Sequence, residues 1–380
     1  MGVKKIRCCI LRGGTSKGIY LHESDLPPDP EQRAQTILKI FGTPDPWQID
    51  GLGGTYPQTS KLAIIAPSDS PDYDVRYTYN QVGITEPKLY TRGICGNISS
   101  GVGPFAIDEG LVKVVEPITT VRIYNTNTKR ILVAKVPVRD GKAEVYGDFG
   151  IPGVPGTGAR IDLDFSDTEG AATGKLLPTG NVRDVLSVKG IGDVEVSIVD
   201  SGTVQCFVRA SDLGLRGTES PPEIEGNAEL MERLHMIRGT AAHLMGFCSS
   251  PESARVETAN SPHLVIASPP QDYHNYQDGT LIPKESVNIV GRMLFMTFIA
   301  PAYAGTGSLC TATASRIEGT LAHEVMVPTP GSSVVRLGHP TGVIEIESVV
   351  DKNEDGFKLR RLAISRTARR IMDGWVYIKG

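Results

Sequence analysis

The sequence lacks the features that mark several large classes of protein. Lysine and arginine number 39 against 43 aspartates and glutamates, a net charge of −4, so no basic surplus points to nucleic acid or to an anionic membrane surface. No apolar run reaches the length of a transmembrane helix. The start, MGVKKIRCCILRGG, has neither the apolar core nor the cleavage site of a signal peptide. These absences predict a cytoplasmic protein whose partner is a small molecule, with no nucleic acid and no membrane.

Signatures of metal and nucleotide binding are also missing. None of the seven histidines forms an HExxH motif or pairs with a cysteine at the spacing of metal ligands. The stretch LRGGTSKG departs from the spacing of a P-loop, and PGVPGTGAR does not have the GxGxxG spacing of a dinucleotide site. The six cysteines are scattered without a CxxC pair, which predicts reduced thiols. An enzyme that uses neither a metal nor an organic cofactor fits these absences best.

What the sequence does contain is a strand-rich pattern in two halves. A chain of 380 residues exceeds the usual size of a single hydrophobic core. We predict one domain over 1–180 and a second over 181–380, and leave open whether the last strand returns to the first domain; the glycine- and proline-rich stretch 147–180 is the crossing. Each half has a glycine-rich turn, a cysteine and then small and apolar residues, GICGNISSGVGPFAI and AGTGSLCTATASRI, which suggests a duplication.

Periodicity predicts the remaining elements. In PPDPEQRAQTILKIFG, apolar residues follow helical spacing between Asp29 as N-cap and Gly42 as the end of the helix. Two further helices are predicted in NAELMERLHMIRGTAAHLMG and KESVNIVGRMLFMTFIAPAYAG. Apolar or alternating runs predict strands in SKLAIIAP, DVRYTYNQV, TVRIYN, RILVAKVPV, DVEVSIVD, TVQCFVRA, HLVIAS and GWVYIKG.

Cys95 lies between two glycines in RGICGNISSGVGPFAIDEG, directly before apolar residues at helical spacing. A helix that begins near Asn97 would point free N–H groups at the thiol or at an anion beside it. Pro104 predicts a kink in that helix. The segment alone supports two interpretations equally. Cys95 is either a reactive thiol in a site for a carboxylate or an enolate, or a buried structural cysteine.

Two more stretches of the first half carry chemistry. In DGLGGTYPQTSKLAII, Lys61 stands at the start of an apolar strand after a loop of glycine and hydroxyl residues. A partly desolvated lysine at the mouth of a pocket can have a pKa low enough for a general base, although these residues alone favour a surface lysine at a strand end. The turn LRGGTSKG offers donors from Arg12, Thr15, Ser16 and Lys17 to a carboxylate or a phosphate.

The second half has two comparable stretches. In AGTGSLCTAT, the residues Gly305, Thr306, Gly307 and Cys310 indicate either a backbone anion nest at a helix start or a simple capping turn. In GHPTG, His339 stands between two strands, where a lone histidine is more often structural than catalytic.

Taken in order, the motifs RGGTSKG, DGLGGTYPQTSKLAII, CGNISSGVGPFAIDEG, GAATGKLLPTG, YAGTGSLCTATA and GHPTG resemble the PrpF family over essentially the whole chain. That family contains cofactor-independent isomerases of unsaturated di- and tricarboxylates, and TSKLAII, CGNIS and NTNTK are most similar to its methylitaconate Δ-isomerase branch. The resemblance implies the α/β (α+β) fold of diaminopimelate epimerase. In that fold two similar domains each wrap a curved sheet around a central helix, and the active site lies in the interdomain cleft.

The resemblance also implies roles for single residues. Lys61 matches the catalytic lysine, and Cys95 matches the cysteine before the central helix of the first domain. Cys310 lies near the second thiol of the epimerases and is a candidate second acid or base, although its turn departs from the epimerase pattern. Thr341 takes a position where a smaller residue is expected. The substrate-binding residues that the resemblance implies are Thr15, Ser16, Lys17, Ser60, Gly96, Asn97, Gly305, Thr306, Gly307, His339 and Thr341.

The resulting hypothesis is a 1,3-allylic proton shift. Lys61 or Cys95 removes a proton next to a carboxylate, and a proton is returned two carbons away, which moves the double bond. The substrate is of the methylitaconate/dimethylmaleate type, or aconitate, methylaconitate or oxalomesaconate. The alternatives are a two-thiol amino-acid epimerase or racemase and a non-catalytic binder of carboxylic acids. The choice between Lys61 and Cys95 as base stays open, as does homo-oligomerisation.

Overall fold

The chain folds into two units, which a computed structural model describes over residues 2–354 and 356–380. The first unit comprises Met1–Leu163 and Ser365–Gly380, and the second comprises Asp164–Ile364. The division at residue 180 remains a prediction about domains, and it falls within the second of these units. In the described part of the chain, no helix combines the length and the apolar character that crossing a membrane requires.

The first unit consists mainly of strands. Its α-helices are Pro30–Phe41, Gly96–Ser99 and Val102–Asp108, with a 3-10 turn at Glu23–Asp25. Its strands are Val3–Gly13, Ser16–His22, Lys61–Pro67, Val75–Val82, Leu89–Tyr90, Ile118–Asn125, Arg130–Arg139, Lys142–Ala143, Phe149–Gly150, Thr157–Gly158, Ile161–Asp164, which ends at the unit boundary, and Ala368–Lys379.

The first helix forms where its capping residues predict it. Asp29 accepts a hydrogen bond from the backbone N–H of Gln32 at 2.8 Å, which satisfies a donor that the helix itself leaves free. The helix Pro30–Phe41 ends at Gly42, whose φ of 76° is the left-handed conformation that stops a helix. The prediction from PPDPEQRAQTILKIFG is therefore confirmed.

The sheet of the first unit is mixed. Its main strands lie side by side in the order Ala368–Lys379, Val3–Gly13, Ser16–His22, Lys61–Pro67, Val75–Val82, Ile118–Asn125 and Arg130–Arg139. From Val3–Gly13 onward, the successive pairs are antiparallel, parallel, antiparallel, parallel and antiparallel. Each parallel pair needs a crossover, and in both cases the crossing segment carries helix. The second of these segments is buried throughout its apolar side, with Ile98, Val102 and Phe105 fully inaccessible.

The second unit has its own set of elements. Its α-helices are Pro221–Glu225, Ala228–Leu244, Ala254–Glu257, Gly305–Ala314 and Leu321–Val325, with 3-10 turns at Ser166–Thr168, Ser211–Leu213 and Lys284–Ser286. Its strands are Asp184–Val188, Gly192–Ser201, Thr203–Arg209, His263–Ser268, Tyr273–His274, Leu281–Ile282, Ile289–Phe295, Phe298–Ile299, Val334–His339, Gly342–Asn353 and Gly356–Arg366, of which the last extends past the unit boundary.

The topology of the second unit repeats that of the first. Its main strands follow the order Gly192–Ser201, Thr203–Arg209, His263–Ser268, Ile289–Phe295, Val334–His339 and Gly342–Asn353. The pairs are again antiparallel, parallel, antiparallel, parallel and antiparallel. The fully buried helix Gly305–Ala314 lies in the second parallel crossover, as the helices Gly96–Ser99 and Val102–Asp108 do in the first unit. This repetition supports the duplication that the two glycine-rich turns suggest.

One predicted helix is wrong. The stretch KESVNIVGRMLFMTFIAPAYAG forms a 3-10 turn followed by the strands Ile289–Phe295 and Phe298–Ile299. All seven residues of Ile289–Phe295 are buried, and the strand is paired on both edges. A strand that is buried on both faces does not alternate between apolar and polar residues, so periodicity cannot separate it from a buried helix.

The predicted kink at Pro104 is instead a break in the helix. Helix Gly96–Ser99 ends and helix Val102–Asp108 begins two residues before the proline. Pro104 therefore lies in the first turn of the second helix, where its missing N–H costs no hydrogen bond.

Candidate active site

Lys61 is the first residue of the strand Lys61–Pro67, and it is only 5% exposed. Its Nζ donates hydrogen bonds to Gln81 Oε1 at 2.7 Å and to the Tyr79 hydroxyl oxygen at 3.2 Å. Tyr79 and Gln81 alternate on the neighbouring antiparallel strand, so their side chains point to the same face of the sheet. Lys61 is thus a buried amine and not the surface lysine that its local sequence favours.

The acceptors around Lys61 are fixed in orientation. The Gln81 amide nitrogen donates to the carbonyl oxygens of Pro57 and Ser60, both at 3.0 Å. Its Oε1 must therefore accept, and it does so from Lys61 and from the Tyr79 hydroxyl at 3.0 Å. Two hydrogen-bonding positions of the Lys61 amine are thus held by neutral acceptors.

Cys95, a neighbour of this amine, is 7% exposed and immediately precedes the helix Gly96–Ser99. Burial lowers the pKa of Lys61, and the nearby Cys95 acts in the opposite direction. The structure therefore joins the two residues that the resemblance implies as catalytic.

Three tyrosines lie near Cys95. Burial raises the pKa of Tyr20, Tyr77 and Tyr79, and the neighbouring Cys95 raises each of these pKa values further. The Tyr20 hydroxyl donates to the carbonyl oxygen of Ile98 at 2.6 Å. These phenols stay neutral near pH 7, so the exchangeable protons of the site belong to the amine and the thiol.

Asn97, at 3% exposed, is the centre of a second chain of hydrogen bonds. Its amide nitrogen donates to Thr15 Oγ1 at 2.8 Å, and its Oδ1 accepts from Arg366 Nε at 3.2 Å. Arg366 is only 4% exposed, and burial lowers its pKa to about 10, against the effect of Cys95. Asn97 thus links Thr15, another predicted residue, to Arg366, which the sequence does not indicate.

The loop before Lys61 is held by side chains that pack inside it. Ser60 is fully buried and donates through Oγ to Gln48 Oε1 at 2.9 Å, and the same oxygen accepts from the backbone N–H of Thr55 at 2.8 Å. The backbone N–H of Lys17 donates to the carbonyl of Gln58 at 2.9 Å, while Ser16 is buried in the hairpin. The Ser60 hydroxyl therefore binds Gln48 within the loop. The backbone of Lys17 connects the same loop to the glycine turn.

In the second unit, Gly305, Thr306 and Gly307 form the first turn of the helix Gly305–Ala314, and Ala304 is the residue immediately before it. Cys310 lies beyond that first turn, where its thiol donates to the carbonyl oxygen of Val199 at 3.3 Å. Burial raises the pKa of Cys310. A thiol that is held in this way keeps its proton.

His339, the last residue of the strand Val334–His339, is fully buried. Its Nδ1 lies 3.4 Å from both the backbone nitrogen and the hydroxyl oxygen of Thr341. The ring of Tyr303, the residue before Ala304, has its centroid 6.4 Å from that of His339. The binding roles that the resemblance implies for Gly305, Thr306, Gly307, His339 and Thr341 stay predictions.

Six residues of the first-unit site are absent from the sequence-based set: Tyr20, Gln48, Tyr77, Tyr79, Gln81 and Arg366. The alternation in DVRYTYNQV contains the signal for Tyr79 and Gln81, since a strand over this stretch places both on one face with the start of the neighbouring strand. Gln48 and Arg366 have no such signal. Arg366 is 269 residues from Asn97 along the chain, and only the tertiary fold brings them together.

Cys9, Glu109 and Asp373 form a further cluster, with one ligand atom of each within 4.8 Å of the others, as a metal site would require. The guanidinium of Arg370 already lies among them and donates to Glu109 at 2.9 Å and to Asp373 at 3.0 Å. The Cys9 thiol donates to Asp373 at 2.8 Å, and burial raises the pKa of Cys9 to about 12. The two carboxylates thus already bind the guanidinium of Arg370, and the Cys9 thiol keeps its proton, whereas a metal ion requires the thiolate.

The approach of Asn97 to the glycine turn yields a prediction for Gly14. Its φ is 51°, and a Cβ there would lie 2.2 Å from Asn97 Oδ1. We expect Gly14→Ala to lower the free energy of unfolding by roughly 1–2 kcal/mol for the left-handed backbone and by about 1–3 kcal/mol more for the overlap. Urea denaturation measures the loss.

Gly141→Ala is the matched control, because Gly141 has a φ of 72° and no heavy atom of the described residues lies within 4 Å of a Cβ built there. It should show the backbone cost alone. Equal losses in the two variants would mean that the contact of the turn with Asn97 imposes no constraint.

Comparison with solved structures identifies the fold. A hydroxyproline epimerase from Agrobacterium vitis superimposes with a TM-score of 0.58 over 98% of this chain and 92% of that one, at 13% identity, which shows a shared fold. The crystal structure of a methylitaconate-delta-isomerase superimposes with a TM-score of 0.82 at 49% identity, over 100% of this chain and 96% of that chain. The predicted diaminopimelate epimerase-like fold, two similar units each with a central helix, is confirmed.

The protein is an enzyme of the isomerase class, since relatives that are 50%, 33% and 37% identical over nearly the whole chain are named isomerases or a tautomerase. The profile of the PrpF family, described as PrpF protein, matches residues 3–379. The 3-methylitaconate isomerase of Eubacterium barkeri is 50% identical over 375 residues, which cover 99% of this chain and 97% of that protein. The chain belongs to the PrpF family.

Proposed function

We propose that the protein moves a C=C bond within a small unsaturated di- or tricarboxylate of the methylitaconate type by a 1,3-allylic proton shift. The observation that carries the proposal is the buried amine of Lys61 beside the buried thiol of Cys95, at the start of a helix. The substrate class is supported by the name of the Eubacterium barkeri relative, which is 50% identical over nearly the full length of both proteins.

The pair supplies one mobile proton. A neutral lysine amine has two N–H donors and one lone pair, and two donors are engaged by Gln81 and the Tyr79 hydroxyl. Cys95 lies beside this amine, so the two side chains form an acid–base pair in which one member is the base and the other holds the mobile proton.

The reaction balances without an oxidant or a further reactant. With methylitaconate as substrate, the base breaks the C–H bond at the carbon that is next to a carboxylate and allylic to the double bond. The electron pair delocalises over the carboxylate and the double bond. A C–H bond then forms at the former methylene carbon, and the double bond lies between the two substituted carbons, as in dimethylmaleate. One proton is removed and one is returned, so the substrate and the product have the same composition and charge.

The intermediate carries extra negative charge on a carboxylate, and such a carbon acid is too weak to react unless that charge is stabilised. The N–H groups of Gly96 and Asn97 open the helix beside Cys95, where a helix has no internal acceptors for them. The Thr15 hydroxyl, which accepts from Asn97, has its own proton free to donate. We assign these groups to the substrate carboxylate.

A panel of four acids tests the function. Methylitaconate, aconitate, methylaconitate and oxalomesaconate are each incubated with the protein in D₂O and followed by absorbance and by ¹H NMR. We expect methylitaconate to lose its vinyl signals and to gain the methyl signal of dimethylmaleate. The reaction should proceed in the presence of a chelator and without nucleotide, and heat-inactivated protein serves as control.

The other outcomes point to the alternatives. Binding of an acid without any change in its vinyl or methyl signals would contradict the proposal and favour a carboxylic-acid-binding protein. Solvent exchange with inversion at the α-carbon of an amino acid, with no reaction of the four acids, would favour an epimerase.

A further inference from the structure

Arg366 is a buried cation that has no acidic partner. It is 4% exposed, and across residues 2–354 and 356–380 it makes no ion pair. Its hydrogen bonds go to Asn97 Oδ1 at 3.2 Å and to the carbonyl oxygen of Ser365 at 3.0 Å. A guanidinium carries five N–H donors, so these two hydrogen bonds leave three N–H groups that can donate to another acceptor.

Arg292 shows how the same fold satisfies a buried arginine when its role is structural. It is 1% exposed and donates to the carbonyl oxygens of Glu219, Gly291 and Thr218, at 2.5, 3.2 and 2.9 Å. It also lies over the ring of Tyr273, with the carboxylate of Glu219 nearby. Arg366 has one backbone carbonyl as acceptor, and in the described part of the chain it has neither an aromatic ring nor a carboxylate beside it; Cys95 is the neighbour that raises its pKa. An unpaired charge in such a setting is costly unless an anion binds beside it.

The hydrogen bonds of Arg366 also have a direction. Arginine can only donate, so the Asn97 oxygen accepts and the Asn97 amide nitrogen must face Thr15, to which it donates. Thr15 uses its oxygen as acceptor there, and its hydroxyl proton is left to donate elsewhere. Arg366, Asn97 and Thr15 thus form a row of donors, and a carboxylate is a group that only accepts.

The surrounding charge has the same sign. Arg12 is half-buried and donates to the carbonyl oxygens of Gly14 and Thr367, at 3.0 and 2.8 Å. Burial lowers the pKa of Arg12, as does the like charge of Arg369. Arg12 and Arg366 thus place two guanidinium groups near the glycine turn that carries Thr15.

We propose that Arg366 is a positioning residue for a substrate carboxylate: it holds Asn97 and Thr15 as donors and supplies the positive charge that the carboxylate neutralises. This inference rests on the proposed function, because it takes the anion to be a carboxylate of the substrate. The role of Arg366 concerns binding of the carboxylate, so it can be tested without proton transfer.

The test measures binding with a ligand that cannot react. Tricarballylate is a saturated tricarboxylate with no C=C bond to move, and calorimetry gives its Kd for the full-length protein. We expect Arg366→Met to raise that Kd by about tenfold to a hundredfold, the usual effect of losing hydrogen bonds to a charged group. Its Tm should stay unchanged or rise, because an unpaired buried charge is replaced by an apolar side chain of similar length.

Two further variants separate positioning from structure. Asn97→Asp gives Arg366 an internal carboxylate, so we expect a higher Tm and weaker tricarballylate binding. Arg366→Lys keeps the charge but not the planar fork, and its Kd should lie between those of the wild type and Arg366→Met. Lys135→Met removes one exposed positive charge from the strand Arg130–Arg139 and should leave the Kd within about twofold, as expected for a screened surface charge.

The contradicting results are distinct. Tricarballylate binding by Arg366→Met at the wild-type Kd would overturn the inference, and so would a wild type that does not bind tricarballylate. A lower Tm in Asn97→Asp with unchanged binding would make Arg366 a structural residue. If Arg366→Met does not fold, Arg366→Lys with a wild-type Kd overturns the inference. Loss of binding in Arg366→Met, in a protein that isomerises none of the four acids, would reject the proposed function and still support Arg366 as a positioning residue for a bound carboxylate.

Discussion

Lys61→Met should lower kcat for the isomerisation by about a hundredfold to ten-thousandfold, the range over which a positioned general acid or base accelerates proton transfer. Methionine matches the length of the lysine stem and fills the buried space. Gln81 Oε1 keeps its hydrogen bond from the Tyr79 hydroxyl, so the local network survives. Initial rates with the acid that reacts in the panel, measured by absorbance or NMR, give kcat and KM.

Lys135→Met is the control, because Lys135 is an exposed residue of the strand Arg130–Arg139. This variant should keep the wild-type kcat. If Lys61→Met did so as well, the assignment of Lys61 to the proton transfer would be wrong.

The same pair sets the expected pH dependence. A base must be deprotonated to act, so kcat/KM should rise with pH as the Lys61–Cys95 pair loses its first proton. Because burial lowers the pKa of Lys61, the midpoint should lie below the ordinary lysine value of 10.5. This rise should be absent or displaced in Lys61→Met. A wild-type profile that falls with pH over this range would contradict a deprotonated base.

The sequence is informative where a role depends on neighbours along the chain. Asp29 and Gly42 predict both ends of the first helix, since capping is a local interaction. The glycines around Cys95 indicate a helix start, and the thiol does precede a helix. Neither stretch alone reveals that Lys61 is buried, because its partners Tyr79 and Gln81 belong to another strand. The choice between a surface lysine and a catalytic one was decided by the family resemblance.

Residues that tertiary packing brings together lie outside the reach of local patterns. Arg366 meets Asn97 only because the end of the chain returns to the first unit, where the strand Ala368–Lys379 pairs with Val3–Gly13. The strand Ile289–Phe295 was mistaken for a helix for a related reason. Pairing on both edges and burial on both faces are properties of its position in the sheet, and they remove the alternation by which strands are recognised.

The repeated topology distinguishes Cys95 from Cys310, the two cysteines to which the family resemblance gives a possible acid–base role. Cys95 immediately precedes the central helix of the first unit, whereas Ala304 takes the corresponding position in the second. Cys310 lies farther along its helix and donates its proton to the carbonyl of Val199. The duplicated fold therefore carries one thiol at a helix start, which suits an isomerase that needs a single acid–base pair more than a two-thiol epimerase.

Serine replacements test this asymmetry. Cys95→Ser should lower kcat by about a hundredfold or more, because a hydroxyl is a much weaker acid than a thiol and cannot share a proton with Lys61 in the same way. Cys310→Ser keeps a donor for the Val199 carbonyl, so it should retain kcat within a few-fold while its Tm reports any packing cost. Comparable losses of kcat in both variants, at wild-type Tm, would contradict the single-thiol mechanism. That result would mean that the second helix contributes a proton donor from a position other than its N-terminus.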